Sequence, residues 1–281
     1  MKRVCMFLSL LAATIGPSLT FAGNGPFFVV YDHHPEEKGE VEVMLMNDFN
    51  KSRVGRDNYA QMVEVEYGVT DRWTSEFMLE GQKTTGDSWV YTGWRWENRY
   101  RLFEEELPVN PMIYAEWENL NGATKYKMEV SGNRDLEPVS NTEAKKEKER
   151  ILETRLILGK EFGPLTVAFD WINESDTLRR FETAFGYAMG FRYTIGVHAG
   201  EHLHRRERRN GDNSRWIVGM EMYGGLGDTK SFGIMPKKQE HYLAPVVMWH
   251  AYNVMFHFSP AIGLTDASDK YVLRTAIGWE F

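Results

Sequence analysis

Short stretches in which every second residue is apolar recur along almost the whole chain, and a segment built that way is a strand with two unlike faces. In GWRWENRYR (93–101), Trp94, Trp96 and Tyr100 take one face, while Arg95, Glu97, Arg99 and Arg101 take the other. In YAQMVEVEY (59–67), Val63, Val65 and Tyr67 oppose Glu64 and Glu66. After the turn at 68–71, Trp73, Phe77 and Leu79 oppose Glu76 and Glu80. The same pattern sets Val41, Val43 and Leu45 against Glu40 and Glu42, and Ile113, Ala115 and Trp117 against Glu116 and Glu118. Further on, Leu152, Leu156 and Leu158 oppose Glu153 and Arg155, and Leu165, Val167, Phe169 and Trp171 oppose Asp170 and Glu174. Phe181, Phe185, Tyr187, Phe191 and Tyr193 oppose Glu182, Gly186, Gly190 and Arg192, and Trp216, Val218, Met220 and Met222 oppose Arg215 and Glu221. Apolar segments at 241–249 and 253–264 precede the last strand, YVLRTAIGWEF (271–281). About twelve segments of roughly ten residues result, the length that crosses a bilayer at a barrel tilt.

The connections alternate in length. Tight ones fall at 68–71, 161–164 and 249–252, and longer polar ones at 48–58, 121–148 and 225–240. An even strand count that starts and ends in the periplasm puts the tight turns on that side and the long loops outside. AKKEKER (144–150) then reads as part of a solvated loop. The stretch 195–214 breaks the alternation, because it is long where a periplasmic turn is due.

A secreted β-sandwich also alternates. Two features favour a barrel. Trp73, Trp89, Trp171, Trp216, Trp249, Tyr271 and Trp279 sit near segment ends, as interfacial girdles require. The opposite faces carry Glu and Arg at repeated intervals, as in a lumen lined by ion pairs. The expected lumen set is Glu64, Glu66, Glu76, Glu80, Arg95, Glu97, Arg99, Arg101, Glu116, Glu118, Glu153, Arg155, Asp170, Arg192, Glu221, His257 and Arg274. Tyr271, Trp279 and the final Phe281 form the expected signal for the barrel-insertion machinery, and the last strand would close the sheet so that no edge is left.

The first residues read as a targeting segment. Lys2 and Arg3 precede the apolar run 6–15, and Thr20-Phe21-Ala22 places small residues where a signal peptidase cuts, giving an expected cleavage after Ala22. The expected organisation is a signal peptide at 1–22, an N-terminal periplasmic segment at 23–37 and a barrel at 38–281. Cys5, the single cysteine, falls in the first of these, so the remainder has no thiol chemistry. Without Lys2 and Arg3 the chain carries 31 basic against 40 acidic residues, a net charge of −9, which argues against nucleic acid as a partner. Mean hydropathy is −0.46, as expected where half of each strand is polar.

Several stretches resemble bacterial outer-membrane transporters of the family named for the MetA pathway of phenol degradation. They are EVEYGVTDRW (64–73), ENRYRLF (97–103), LETRLILGKEFG (152–163), GMEMYGGLG (219–227), QEHYLAP (239–245) and GLTDASDKYVLRTAIGWEF (263–281). The last two are the most specific, and 195–214 is the departure. The resemblance implies a twelve-stranded barrel in the outer membrane, with lipid around it, that passes small hydrophobic or aromatic solutes.

Catalytic readings are weaker. His257-Phe258-Ser259 has the spacing of a phospholipase barrel, but parity turns His257 and Ser259 inward, away from a lipid ester. Asp266 and Asp269 suit a rim protease but also a turn. His198, His202 and His204 share a parity with Glu201 beside them, yet Arg205, Arg206, Arg208 and Arg209 would repel a cation. A basic segment that meets anionic headgroups or a partner suits those residues better. His33 and His34 precede the barrel without an identifiable partner. The sequence thus points to an all-β transmembrane antiparallel up-and-down barrel acting as a passive channel, with no enzyme activity, cofactor, metal or catalytic residue. A closed structural barrel with an ion-paired lumen is the alternative, and a lipid-modifying enzyme ranks last.

Overall fold

Alternation becomes a closed wall in the computed structural model, which describes residues 25–53, 55–134, 140–178, 182–195 and 214–281. The strands are β1 (Val41–Lys51), β2 (Asn58–Thr70), β3 (Trp73–Thr84), β4 (Trp89–Arg101), β5 (Asn110–Asn121), β6 (Lys148–Phe162) and β7 (Leu165–Asp176). They continue with β8 (Glu182–Thr194), β9 (Ser214–Asp228), the short β10 (Ser231–Phe232), β11 (His241–Ala251), β12 (Val254–Gly263) and β13 (Tyr271–Glu280). Each wall strand pairs antiparallel with its neighbours, β8 meets β9, and β13 meets β1. Ten residue pairs, from Glu42↔Glu280 to Lys51↔Tyr271, make that last seam, and Phe281 N–H donates to the Val41 carbonyl at 2.8 Å. The result is a twelve-stranded up-and-down barrel, with β10 folded back on β9 as one extra strand. Closure leaves no wall strand with an unpaired edge, which a bilayer would not tolerate.

The outward face is an apolar belt. Val63, Val65, Leu79, Ile113, Leu156, Val167 and Ile277 are exposed along its middle. Tyr67, Trp73, Tyr100, Tyr193, Trp216 and Trp279 ring the end where β1 starts and β13 stops, and Phe49, Trp89, Tyr91 and Tyr271 ring the other. Two aromatic girdles around an aliphatic band are the signature of a barrel that stands in lipid. The inward residues between them are buried.

Strand bounds differ from the sequence expectation where polar residues continue the alternation. The 48–58 loop shrinks, because β1 runs to Lys51 and β2 begins at Asn58. Its polar DFNK run still alternates, with Asp48 buried inside and Phe49 facing out. The 225–240 loop shrinks likewise, because β9 continues to Asp228 and turns into β10. In 121–148 the chain forms a four-residue helix, α1 (Asn141–Ala144), capped by Ser140 Oγ accepting from Glu143 N–H at 3.3 Å. Of AKKEKER, Lys148–Arg150 belongs to β6. Residues 196–213, with the His198, His202 and His204 group, lie outside the described residues, as do 1–24.

Lipid-face placement is testable. Leu79→Arg, outward and mid-strand on β3, is expected to cost roughly 2–4 kcal/mol of folded stability. Glu143→Arg on α1, at the exposed rim, is expected to stay within about 0.5 kcal/mol. Urea titration of the protein in lipid vesicles reads both.

Candidate functional site: the filled lumen

The inward parity collects carboxylates and guanidiniums, and register decides who meets whom. Arg95 on β4 reaches Glu80 at 3.1 Å, Glu116 at 3.1 Å, Glu118 at 3.2 Å and Glu129 at 2.9 Å. Arg99 pairs with Glu66, with Glu97 at 2.7 Å and with Glu76 at 3.4 Å. Arg155 pairs with Glu153, stands 3.8 Å from Asp170 and lies over the rings of Tyr31 and Tyr114. Arg192 and Arg274 serve other partners, Asp32 at 2.9 Å and Asp48 at 2.8 Å. Arg101 is half-buried at the rim and pairs with Glu106 at 3.3 Å, not with a lumen carboxylate. Glu221 and His257 are buried inside, with Phe28 edge-on to the His257 ring at 6.1 Å. Ser259 is also buried inside, so the His257/Ser259 pair faces the lumen. Asp266 is exposed, and Asp269 is tied to Arg134 at 3.0 Å. Tyr271, Trp279 and Phe281 are exposed on the outside of the closing strand.

One register relation could not be read from single strands. Glu280, Glu42, Glu66, Glu76, Glu97, Glu116, Glu153 and Glu174 stand directly opposite one another on consecutive strands β13 and β1 to β7. Glu280 ends β13 and Glu174 is near the far end of β7, so the row climbs the wall from one mouth toward the other, as stagger in a barrel dictates. Like charges placed opposite across strands repel. Arg99, Arg95 and Arg155 offset the middle of the row.

The lumen is filled by two segments. The first, residues 25–36, belongs to the 23–37 stretch expected in the periplasm ahead of the barrel. Its Phe27–Tyr31 run is instead buried inside the wall. Its backbone supplies donors to lumen acids: Val29 and Val30 N–H reach Glu221 at 3.1 and 3.2 Å, and Tyr31 N–H reaches Asp170 at 2.7 Å. Tyr31 Oη donates to Glu97 at 2.7 Å, Arg155 donates to the Val29 carbonyl at 2.8 Å, and Glu36 N–H donates to Thr74 at 2.8 Å. Two wall glycines make the room. A Cβ at Gly159 would stand 2.3 Å from His33 Nδ1, and one at Gly190 2.9 Å from the Phe27 ring.

The second filling is the β5–β6 connection. Tyr126, Met128 and Val130 are buried, and Ser131 and Gly132 bridge to Gly186 and Gly227 on the wall. Lys127 reaches Glu240 at 2.5 Å, and Arg134 reaches it at 3.1 Å. Burial alone would raise the Glu240 carboxyl, but Lys127 and Arg134 outweigh it and hold the group below its ordinary range. Between the first filling, β1 and β2 a cavity of about 30 Å³ remains, lined by Glu42, Glu64, Glu66, Met44 and Met62 among others, room for one or two waters.

Sequence reasoning missed Phe27–Tyr31, Asp32, Asp48, Tyr126 and Glu129. A signal existed for the first: FFVVY is five apolar residues without alternation, the pattern of a segment buried on all sides rather than one forming a wall.

No family profile and no curated protein matches the sequence. Among solved structures, an outer membrane channel from Pseudomonas putida F1 superposes with TM-score 0.50 at 12% identity, over 89% of this chain and 98% of that one. The NanC porin gives 0.42 at 10% identity, over 85% and 98%, and the monoaromatic hydrocarbon channel CymD gives 0.37 at 13%, over 87% and 88%. At such identities the likeness is one of fold. With the apolar belt and the closed seam it makes this chain an outer-membrane β-barrel.

Two expectations follow. Arg274→Ala leaves Asp48 buried without its cation and is expected to cost roughly 3–5 kcal/mol, whereas Arg274→Met with Asp48→Asn regains most of that, both read by denaturant unfolding. Glu240 is depressed in the folded protein, so its contribution is present above the ordinary glutamate range near about 4.3 and is lost as pH falls below it. The hydrogen-exchange protection factors of residues 122–134, corrected for the intrinsic rate at each pH, are expected to fall on acidification below about pH 4, and less so in Glu240→Gln.

Proposed function

We propose that the protein is a passive outer-membrane channel for small solutes, whose route through the barrel is occupied by residues 25–36. The observation that carries this is how that segment is held. Its polar ties to the wall are hydrogen bonds to Glu221, Asp170, Glu97 and Thr74, one from Arg155 to the Val29 carbonyl, and the Arg192–Asp32 pair, and water can replace such bonds. Wall side chains alone fill a barrel of about eight strands, and twelve enclose more room. Here the wall instead gives up side chains at Gly159 and Gly190 to seat a separate stretch of chain.

The resemblance of six stretches to the MetA-pathway transporters supports hydrophobic or aromatic solutes. The aromatic lining of the inserted segment, Phe27, Phe28 and Tyr31, suits such solutes once the segment shifts. Lumen charge suits weak, transient contact with a polar edge rather than tight binding. The second reading, a closed structural barrel, is favoured by the small residual cavity of about 30 Å³.

Planar-bilayer conductance separates the two. The full chain is expected to conduct little, and a variant lacking residues 25–36 to show steady conductance at least tenfold higher, with faster uptake of an aromatic solute into liposomes. A deletion variant that folds, shifts on heating in a gel and stays silent would establish the closed structural barrel.

A further inference from the structure

The row of glutamates is balanced in its middle and unbalanced at the end where β1 begins. Glu36, Glu42, Glu64, Glu66, Glu76 and Glu280 gather there, all inside the wall and at most 8% exposed. Arg99 meets Glu66 and Glu76 and is shared with Glu97, and His250 stands 3.6 Å from Glu280. Among the described residues no side-chain nitrogen of Lys, Arg or His pairs within 4.0 Å with a carboxylate oxygen of Glu42 or Glu64. Buried carboxylates in such numbers are not left bare.

Two further observations point to what balances them. Glu42 Oε2 and Glu76 Oε1 are buried, each on a residue 2% exposed, and neither meets a hydrogen-bond donor. Glu42, Glu64 and Glu66 also line one cavity of about 30 Å³, while Glu64, Glu66 and Glu76 each offer an oxygen within 4.8 Å of the others. In the other two clusters of this kind among the described residues every acid has a cation, Glu116, Glu129 and Glu153 from Arg95 and Arg155 and Asp32 from Arg192, whereas here Arg99 serves Glu66 and Glu76 and leaves Glu64 and the neighbouring Glu42.

We propose that Glu42, Glu64, Glu66 and Glu76 bind one hard divalent cation of the calcium class inside the barrel. The donor set is all carboxylate oxygen, which suits Ca²⁺, Mg²⁺ or Mn²⁺ and not a soft metal. The four glutamates come from three adjacent strands, β1, β2 and β3, so the ion ties strands together where their charges repel. Calcium, which tolerates irregular oxygen cages and up to eight ligands, fits a site whose oxygens are fixed by a rigid wall better than magnesium does. Shared protons are the competing way to neutralise the cluster. Glu64 and Glu76 approach as a carboxyl pair, and so do Glu36 and Glu66. That pairing leaves Glu42 uncompensated, and a divalent ion does not.

The test uses the full barrel folded in detergent, stripped with chelator and titrated with CaCl₂, with Tb³⁺ luminescence as a direct count. One ion per barrel is expected, with a higher unfolding temperature in calcium than in chelator. Glu64→Gln and Glu42→Gln are each expected to weaken binding at least tenfold and to abolish the calcium-dependent shift, while Glu182→Gln on the outside leaves both unchanged. Both lumen variants remove a repelling charge, so the stripped barrels are expected to fold as well as the parent. No calcium-dependent shift in the parent would overturn the proposal. So would a shift that survives both lumen variants, or a carboxylic-acid infrared band at neutral pH that persists in saturating calcium and vanishes in Glu64→Gln.

Discussion

Buried negative charge is the constraint on which the inside of this barrel depends. The wall closes through the β13–β1 seam, and closure removes the interior from bulk water. Every carboxylate placed there by strand parity must then find a donor, a cation or a proton. The guanidiniums are placed where the row of glutamates is densest in mid-wall, and each serves several acids at once, as Arg95 does for Glu80, Glu116, Glu118 and Glu129. Ion pairs of this kind add little net stability against an apolar filling, but a partner removed is expensive. They therefore set one arrangement of the lumen more than they strengthen the fold.

The same constraint explains why the inserted segment is seated where it is. Glu221 accepts three successive backbone N–H groups from Phe28, Val29 and Val30. Asp170 accepts the next, from Tyr31. An extended stretch of chain thus does for these two acids what arginines do elsewhere. Its own carbonyl at Val29 is satisfied by Arg155, whose plane also covers the Tyr31 and Tyr114 rings. The segment and the wall complete each other's hydrogen bonding, which is why neither the FFVVY run nor the lumen acids make sense alone.

Much of the wall was legible in the sequence because strand parity is local. A residue two places from Trp96 faces the way Trp96 does, whatever the rest of the chain is doing. Hence the inward set from Glu64 to Arg274 could be written from alternation, apart from Arg101, which sits where β4 reaches the rim and finds Glu106. Register was not legible. Whether Glu66 faces Glu76 or Ser75 depends on the turn between β2 and β3 and on the irregularity near Gly68, and a shift by one residue would change every pair. The row of eight glutamates exists only once all those turns are set. Asp48 was hidden for another reason: its DFNK context has the composition of a loop, and only the pairing of β1 with β2 and β13 puts it in the wall, bonded to Arg274, 226 residues away.

The two fillings differ in how freely they can leave. The β5–β6 connection is continuous with wall strands on both sides, and it is pinned by Lys127, Glu129 and Arg134 and by strand-like bridges to Gly186 and Gly227. Displacing it breaks several ion pairs and leaves Glu240 and Asp269 without their cations. Residues 25–36 are joined to the wall, among the described residues, only through 37–40, where Gly39 N–H bonds the Gly68 carbonyl at 2.7 Å. A solute that competes for the space around Phe28 and Tyr31 therefore meets less resistance from this segment than from the loop. Asp170, which loses the Tyr31 N–H as the segment moves, keeps Arg155 of the wall at 3.8 Å. Arg192, which loses Asp32 when the segment shifts, is the wall charge that water or the solute then has to serve before anything can pass.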